Sequence, residues 1–170
     1  MASTNVFKLS IIGDGATGKT AFAQKHRTSI FENEYIATMA TEIYVIGFKT
    51  NKGKVFFNCW DIAGQKKFGG GFLNDYYLNS DAALVFFDFS SKSTLTNTLK
   101  WKSEFKSVCT SVPVVLCGNK SDLVSTVDAT DIKTSKFDGY CEMSVKTGYN
   151  YREPFLKVLK LLMGSDTIII

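Results

Sequence analysis

The sequence predicts an α/β fold in which a six-stranded, mostly parallel sheet carries helices on both faces. Short apolar runs rich in β-branched residues alternate with amphipathic segments, which is the pattern of strands joined by crossover helices. Two further runs, TEIYVIGFKT and KVFFNCW, flank the turn signal NKG and predict a hairpin that adds one antiparallel strand. Repeats and linkers are absent from the sequence, so we expect a single domain over residues 1–170.

The elements follow one another in a regular order along the chain. Strands are predicted at 6–12, in the two arms of the hairpin, at 82–89, at 112–118 and in GYCEMS at 139–144. Helices are predicted from Gly18 to about Ser29, over 94–108 and in YREPFLKVLKLLMG, which ends at Gly164. A polar segment with a short helix precedes the last strand.

Composition excludes several classes of protein. The 170 residues are 45% hydrophobic and 21% charged, as in ordinary soluble domains. The net charge of +4 is too small to indicate a nucleic-acid-binding protein. No apolar run approaches the length of a membrane span, and neither terminus has a lipidation signal, so we expect no membrane anchor. We also expect a monomer. The four cysteines lack metal-binding spacing, and we expect reduced, buried thiols.

The stretch GDGATGKT, residues 13–20, has the spacing of a phosphate-binding loop. It matches G-x-x-x-x-G-K-[ST] with Gly13, Gly18, Lys19 and Thr20, and it lies between a predicted strand and a predicted helix. Backbone N–H groups of such a loop converge on phosphate oxygens, Lys19 can reach the β- and γ-phosphates, and the Thr20 hydroxyl can ligate Mg²⁺. A plain glycine-rich turn is the alternative for this stretch taken alone.

Two more signals follow in the order that a GTP site requires. Asp61 ends a predicted strand and Gly64 comes three residues later, which suits a carboxylate that holds Mg²⁺ through water and an N–H that contacts the γ-phosphate. NKSD then places Asn119, Lys120 and Asp122 after the strand VPVVLCG. Asp122 can accept two hydrogen bonds from guanine, and adenine lacks that donor pair, which would leave a buried carboxylate unpaired. The three signals together predict binding of GTP and GDP with Mg²⁺.

With these motifs, the chain resembles the small GTPases of the Ras superfamily, whose fold is the P-loop G domain. Within the superfamily it is most similar to the Ran branch of nuclear-transport GTPases. The similarity runs from VFKL to about Gly164, and it is clearest in GDGATGKT, YIATMATEIY, TNKG, WDIAGQKKFGG, VPVVLCGNKSD and YNYREPFL.

The resemblance implies further roles for individual residues. Phe31 packs against the guanine face, Tyr35 helps to close the first switch segment, Thr38 ligates Mg²⁺ in the GTP state, and Gln65 orients the attacking water. The catalytic residues are then Gln65, Lys19 and Thr38, and the metal ligands are Thr20, Thr38 and, through water, Asp61. The full expected set of nucleotide contacts is Asp14, Gly15, Ala16, Thr17, Gly18, Lys19, Thr20, Ala21, Phe31, Glu32, Tyr35, Thr38, Gly64, Asn119, Lys120, Asp122, Ser144, Val145 and Lys146.

Some residues depart from the family pattern. Ala16 replaces a glycine of the phosphate loop, which we expect to be tolerated if that residue keeps a negative φ. Ile62 replaces a threonine, and Lys66 replaces the glutamate that assists nucleotide exchange in the family. Val145 replaces an alanine, but the backbone N–H contact to the base survives that change.

The resemblance also implies partners. It predicts importin-β-type transport receptors, a GTPase-activating protein and an exchange factor, a nuclear and cytoplasmic location, and contact with the GDP-form import factor through Phe68. Two alternatives stay open. One is a scaffold that binds nucleotide without cycling, because Lys66, Ile62 and a longer second switch alter the switch region. The other is a Rab-like trafficking GTPase.

Overall fold

The structure is a computed structural model that describes residues 4–27, 36–37, 41–64 and 72–170. Within these residues the strands are β1 (Thr4–Gly13), β2 (Ile36–Ala37), β3 (Thr41–Thr50), β4 (Gly53–Ile62), β5 (Ala82–Asp88), β6 (Val114–Asn119) and β7 (Gly139–Glu142). The helices are α1 (Lys19–Arg27), α2 (Phe72–Tyr77), α3 (Lys92–Thr96), α4 (Thr98–Val108) and α5 (Glu153–Met163). Two 3-10 turns, Ala129–Asp131 and Thr134–Lys136, lie between β6 and β7.

All strands of the described residues form one sheet in the order β2-β3-β4-β1-β5-β6-β7. β3 runs antiparallel to both of its neighbours, and the other pairings are parallel. The predicted six-stranded, mostly parallel sheet with one antiparallel strand is confirmed, and the two-residue β2 extends its edge. Because β1, β4, β5, β6 and β7 are parallel, the loops that follow them lie at the same edge of the sheet.

Helices cover both faces of the sheet, as the sequence predicts. Successive residues of a strand point to opposite faces, so β5 supplies Leu84 and Phe86 to one core and Val85 to the other. The first core is closed by Phe22 of α1 and Phe155 of α5, whose rings stack with centroids 5.2 Å apart. The second core contains Tyr77, Trp101 and Phe105 from α2 and α4. Burial on both faces explains why β5 has an almost continuous apolar sequence.

One predicted helix differs from the structure. The segment expected to form a single helix over 94–108 forms α3 and α4, which meet at Asn97. The buried Thr98 hydroxyl donates to the Leu95 carbonyl oxygen at 2.7 Å, and such side-chain bonds bend helices. The last strand is also shorter than expected, because β7 ends at Glu142, before Met143 and Ser144.

The four cysteines are buried free thiols, as the sequence predicts. Cys117 and Cys141 are paired across β6 and β7, with their sulfur atoms 3.7 Å apart. The described part of the chain has no helix long and apolar enough to cross a membrane.

Candidate nucleotide-binding site

Residues 13–20 join β1 to α1, and their glycines are required by close contacts. Gly13 has φ 138°, and a Cβ on it would lie 2.5 Å from the Phe86 carbonyl oxygen. Gly18 has φ 94°, and a Cβ there would lie 2.2 Å from the Asn119 side-chain nitrogen. Because the backbone of the loop packs directly against β5 and the Asn119 side chain, only glycine fits at these two positions.

The negative φ on which the tolerance of Ala16 depends is not found in the structure. Its φ is 61°, in the left-handed region where a residue with a Cβ is strained, and not in the negative range that would tolerate alanine freely. The turn of the phosphate loop imposes this conformation, and the family glycine at this position would adopt it without strain. The substitution therefore costs free energy within the site itself.

Lys19 is buried at the first residue of α1. Its ammonium donates to the carbonyl oxygens of Gly13 and Asp14 at 2.9 and 2.8 Å, so it lies inside the turn of the loop. Burial lowers the pKa of Lys19 to about 8, although the carboxylates of Asp61 and Asp14 oppose that shift. An anion bound in the loop would stabilise this poorly solvated cation, which fits the predicted phosphate site.

Thr20 and Asp61 meet beside the phosphate loop. The Thr20 hydroxyl donates to Asp61 Oδ2 at 2.5 Å. Burial raises the pKa of Asp61, and the Thr20 hydroxyl and the Lys19 ammonium only partly offset this effect. A hydroxyl and a carboxylate are oxygen ligands suited to Mg²⁺. Among the described residues, no group of three or more His, Cys, Asp or Glu could hold a metal ion.

Gly64 brings the end of the β4 segment against the phosphate loop. A Cβ on Gly64 would lie 2.4 Å from both the Gly13 carbonyl oxygen and the Gly15 nitrogen. Any larger residue would push this segment away from the loop. Gly64 is thus placed where its backbone could respond to a ligand of the loop.

Asn119 ties three segments together. It is 2% exposed, its side-chain N–H donates to the Thr17 carbonyl oxygen at 2.9 Å, and its oxygen accepts from the Val145 N–H at 3.1 Å. The side chain therefore fixes the phosphate loop, the end of β6 and the Ser144–Lys146 segment relative to one another.

Lys120 makes a second link to the phosphate loop. Its ammonium donates to the Ala16 carbonyl oxygen at 2.7 Å and pairs with Asp88 Oδ2 at 2.6 Å. Burial alone would raise the pKa of Asp88, but hydrogen bonds from Lys120 and Ser90 outweigh it and lower that pKa. Asp88 ends β5 and was not predicted as a site residue, because nothing in its local sequence signals the contact.

Asp122 and Ser144 lie together at the outer side of the site. The Ser144 hydroxyl donates to Asp122 Oδ1 at 2.5 Å and accepts from the Thr147 N–H at 3.1 Å. Asp122 is exposed on the protein itself, so only a ligand would bury this carboxylate. Lys146 is also exposed, while the Val145 carbonyl oxygen accepts from the Lys25 ammonium at 2.6 Å.

The structure thus brings the predicted residues 13–20, 61, 64, 119–122 and 144–146 to one edge of the sheet, with the exposed Ala21 beside them in α1. Other predicted residues lie outside the described residues; these are Phe31, Glu32, Tyr35, Thr38, Gln65, Lys66 and Phe68. Sequence reasoning missed Asn97 and Trp101, which both donate to the Asp14 carboxylate over separations of 83 and 87 residues.

A comparison with known families agrees with this geometry. The family model described as the Ras family matches residues 8–164. The match takes in the second half of β1, the phosphate loop, residues 119–122 and 144–146, and α5. Because it covers most of the chain, the chain belongs to the Ras family of small GTPases, whose members bind GTP and GDP, typically with Mg²⁺, and hydrolyse GTP.

Proposed function

We propose that the chain is a GTP/GDP switch of the Ran type that acts in transport between nucleus and cytoplasm through importin-β-type receptors. The observation that supports nucleotide binding is the direct bonding of the phosphate loop to the segment that begins at Asn119, where the proposal places the base. Thr17 and Ala16 accept from Asn119 and Lys120, so a ligand that spans both ends of the site would bind to one connected structure.

The residues divide the recognition of the nucleotide between them. Backbone N–H groups of 14–21 and the Lys19 ammonium bind the phosphates, and Asp122 with the 144–146 segment selects guanine. Thr20 and Thr38 would hold Mg²⁺ through their hydroxyls, and Asp61 would hold it through water. When bound, the Mg²⁺ ion supplies positive charge that neutralises the phosphates.

Hydrolysis in this proposal depends on Gln65, which orients a water molecule toward the γ-phosphate. The intrinsic rate is slow, on the order of 10⁻⁴ s⁻¹, and an activating protein raises it. Thr38 and Gly64 contact the γ-phosphate region in the GTP state only, so their segments rearrange after hydrolysis and partners distinguish the two states.

Support for the Ran-type role comes from the sequence alone. The stretches GDGATGKT, WDIAGQKKFGG and YNYREPFL resemble that branch. On this basis the partners are importin-β-type receptors, an activating protein, an exchange factor and, through Phe68, the import factor of the GDP form. Lys66 favours a second candidate, a scaffold that keeps one nucleotide, because it reverses the charge of the residue that assists exchange in the family.

Two experiments separate these functions. Single-turnover hydrolysis of bound GTP should proceed in the unmodified chain and be lost in Gln65→Leu, with nucleotide still bound in both. Equal rates in the two proteins would contradict the role of Gln65, and the absence of turnover even with an activating protein would favour the scaffold. Importin-β should be captured by the chain loaded with a GTP analogue and not by the GDP form. Capture of Rab effectors instead would contradict the Ran-type role.

A further inference from the structure

The side chain of Asp14 is held from outside the phosphate loop. Its Oδ1 accepts from the Trp101 indole N–H at 2.8 Å, and its Oδ2 accepts from the Asn97 side-chain N–H at 2.7 Å. Both carboxylate oxygens are therefore bound by neutral donors at the start of α4. The two bonds join the second residue of the loop to a helix on one face of the sheet.

The Trp101 indole and the Asn97 amide have few other acceptors for these N–H groups. Trp101 is 2% exposed and packs in the same core as Phe105 and Tyr77, so its indole N–H needs an acceptor within the protein. Asn97 directly precedes α4, where an asparagine side chain commonly accepts from the first N–H groups of the helix. Here it makes no such bond, and its amide donates to Asp14 instead.

The backbone of Asp14 is fixed from the opposite side. Its carbonyl oxygen accepts from the Lys19 ammonium and from the Thr17 hydroxyl, each at 2.8 Å. A Cβ on Gly64 would lie 2.5 Å from the carbonyl carbon of Asp14. The residue thus has its side chain bound to α4 and its main chain bound within the loop.

Because Asp14 carries a negative charge, the direction of its side chain affects phosphate binding. A carboxylate in a loop that receives phosphates would repel them if it turned toward the ligand. Two hydrogen bonds to a charged acceptor stabilise the anion where it is and keep it directed at α4. We propose that Asn97 and Trp101 are positioning residues that fix the phosphate loop through the Asp14 carboxylate and thereby slow the release of bound nucleotide. This inference rests on the proposed function, since it concerns the same site.

The test measures release of fluorescent GDP from the full chain after mixing with excess unlabelled GDP. Asn97→Ala and Trp101→Phe should each accelerate release about tenfold, the scale of one hydrogen bond to a charged group. Two controls account for damage to α3 and α4. Thr96→Ala changes an exposed hydroxyl beside Asn97, and Phe105→Leu disturbs the core around Trp101 without removing a donor to Asp14. Both should release GDP within about twofold of the unmodified rate.

A double-mutant cycle shows whether the effect passes through Asp14. In an Asp14→Ala background, Asn97→Ala and Trp101→Phe should add less than about twofold to the release rate. Release at the unmodified rate in both single variants overturns the inference, as does an effect that persists undiminished without the carboxylate. If the unmodified chain fails to bind GDP at all, the proposed function itself is wrong.

Discussion

The Thr20 hydroxyl donates to the Asp61 carboxylate at 2.5 Å, which joins the first turn of α1 to the end of β4. These residues lie 41 positions apart; Thr20 comes after β1, and Asp61 lies near the end of β4, which pairs with β1 in parallel. The contact therefore depends on the β1–β4 pairing, whose register sets Ile11 opposite Asp61. It brings together the hydroxyl and the carboxylate that the proposal assigns to Mg²⁺.

Thr20→Asn should weaken binding of GTP in the presence of Mg²⁺ more than binding of GDP. The change removes a hydroxyl that would ligate Mg²⁺, and Mg²⁺ contributes more to the binding of GTP than to the binding of GDP. We expect at least about a tenfold loss for GTP, since removal of even outer-shell groups weakens metal sites by that much. Titration of both nucleotides with and without Mg²⁺ measures the difference.

Thr20→Ser is the matched control, because it keeps the hydroxyl and should retain most of the affinity. Equal losses for GTP and GDP in Thr20→Asn would contradict the assignment of this residue to the ion.

Asp122→Asn should shift base preference from guanine toward xanthine. The substitution turns one acceptor into a donor, which no longer matches the guanine N1–H and amino group but can pair with xanthine. Loss of the bond to the guanine amino group, together with loss of the negative charge that strengthens the bond to N1–H, should lower GTP affinity by about 100-fold. Competition between GTP and XTP measures the preference, with Asp128→Asn, another exposed carboxylate, as the control. Unchanged affinity for GTP would contradict the assignment of Asp122 to guanine recognition.

Ala16→Gly should stabilise the protein. At φ 61° the alanine is strained, and glycine relieves that strain at a smaller cost in the entropy of the unfolded chain. We expect the free energy of unfolding to rise by roughly 1 kcal/mol. Urea denaturation measures the change. Ala21→Gly, an exposed residue of α1, should lower the free energy of unfolding by about the same amount; a loss of stability in both variants would refute the strain at Ala16.

His26 should make the folded state sensitive to mild acid. It is buried between Phe22, Phe155 and Tyr151, and its Nε2 donates to the Tyr151 carbonyl oxygen at 2.8 Å. Burial is the main cause that lowers the pKa of His26 to about 4, and the nearby charges of Arg152 and Lys25 lower it further.

The unfolded chain therefore binds a proton at this residue near its ordinary pKa of about 6.5, before the folded chain does. The free energy of unfolding should fall as pH falls from about 6.5 to about 4, by about 3 kcal/mol in total, and level off below that range. Urea denaturation at pH 7 and pH 5 should show a larger loss in the unmodified chain than in His26→Gln. The same loss in both proteins would show that His26 does not cause the fall in the free energy of unfolding.

The sequence predicted the sheet, the helices α1 and α5 and the loops of the site, because each depends on local patterns. Apolar periodicity located β5 and α5, and fixed spacing located Lys19, Thr20 and Asn119. The same reasoning missed contacts that depend on packing. Asn97 and Trp101 lie far from Asp14 in the chain, and their local sequence predicts only a helix.

The sequence also did not predict the backbone conformation at two places. The positive φ of Ala16 is imposed by the turn between Gly13 and Gly18, and no local propensity of alanine indicates it. The division into α3 and α4 depends on the buried hydroxyl of Thr98, which the apolar pattern of 94–108 does not include.

Calorimetric titration of the purified chain, cleared of co-purified nucleotide, tests the central claim most directly. With Mg²⁺ present, GDP and a non-hydrolysable GTP analogue should each bind at one site per chain. The corresponding adenine nucleotides should bind far more weakly, because Asp122 selects guanine. No heat of binding with guanine nucleotides, or equal binding of adenine and guanine nucleotides, would contradict the account.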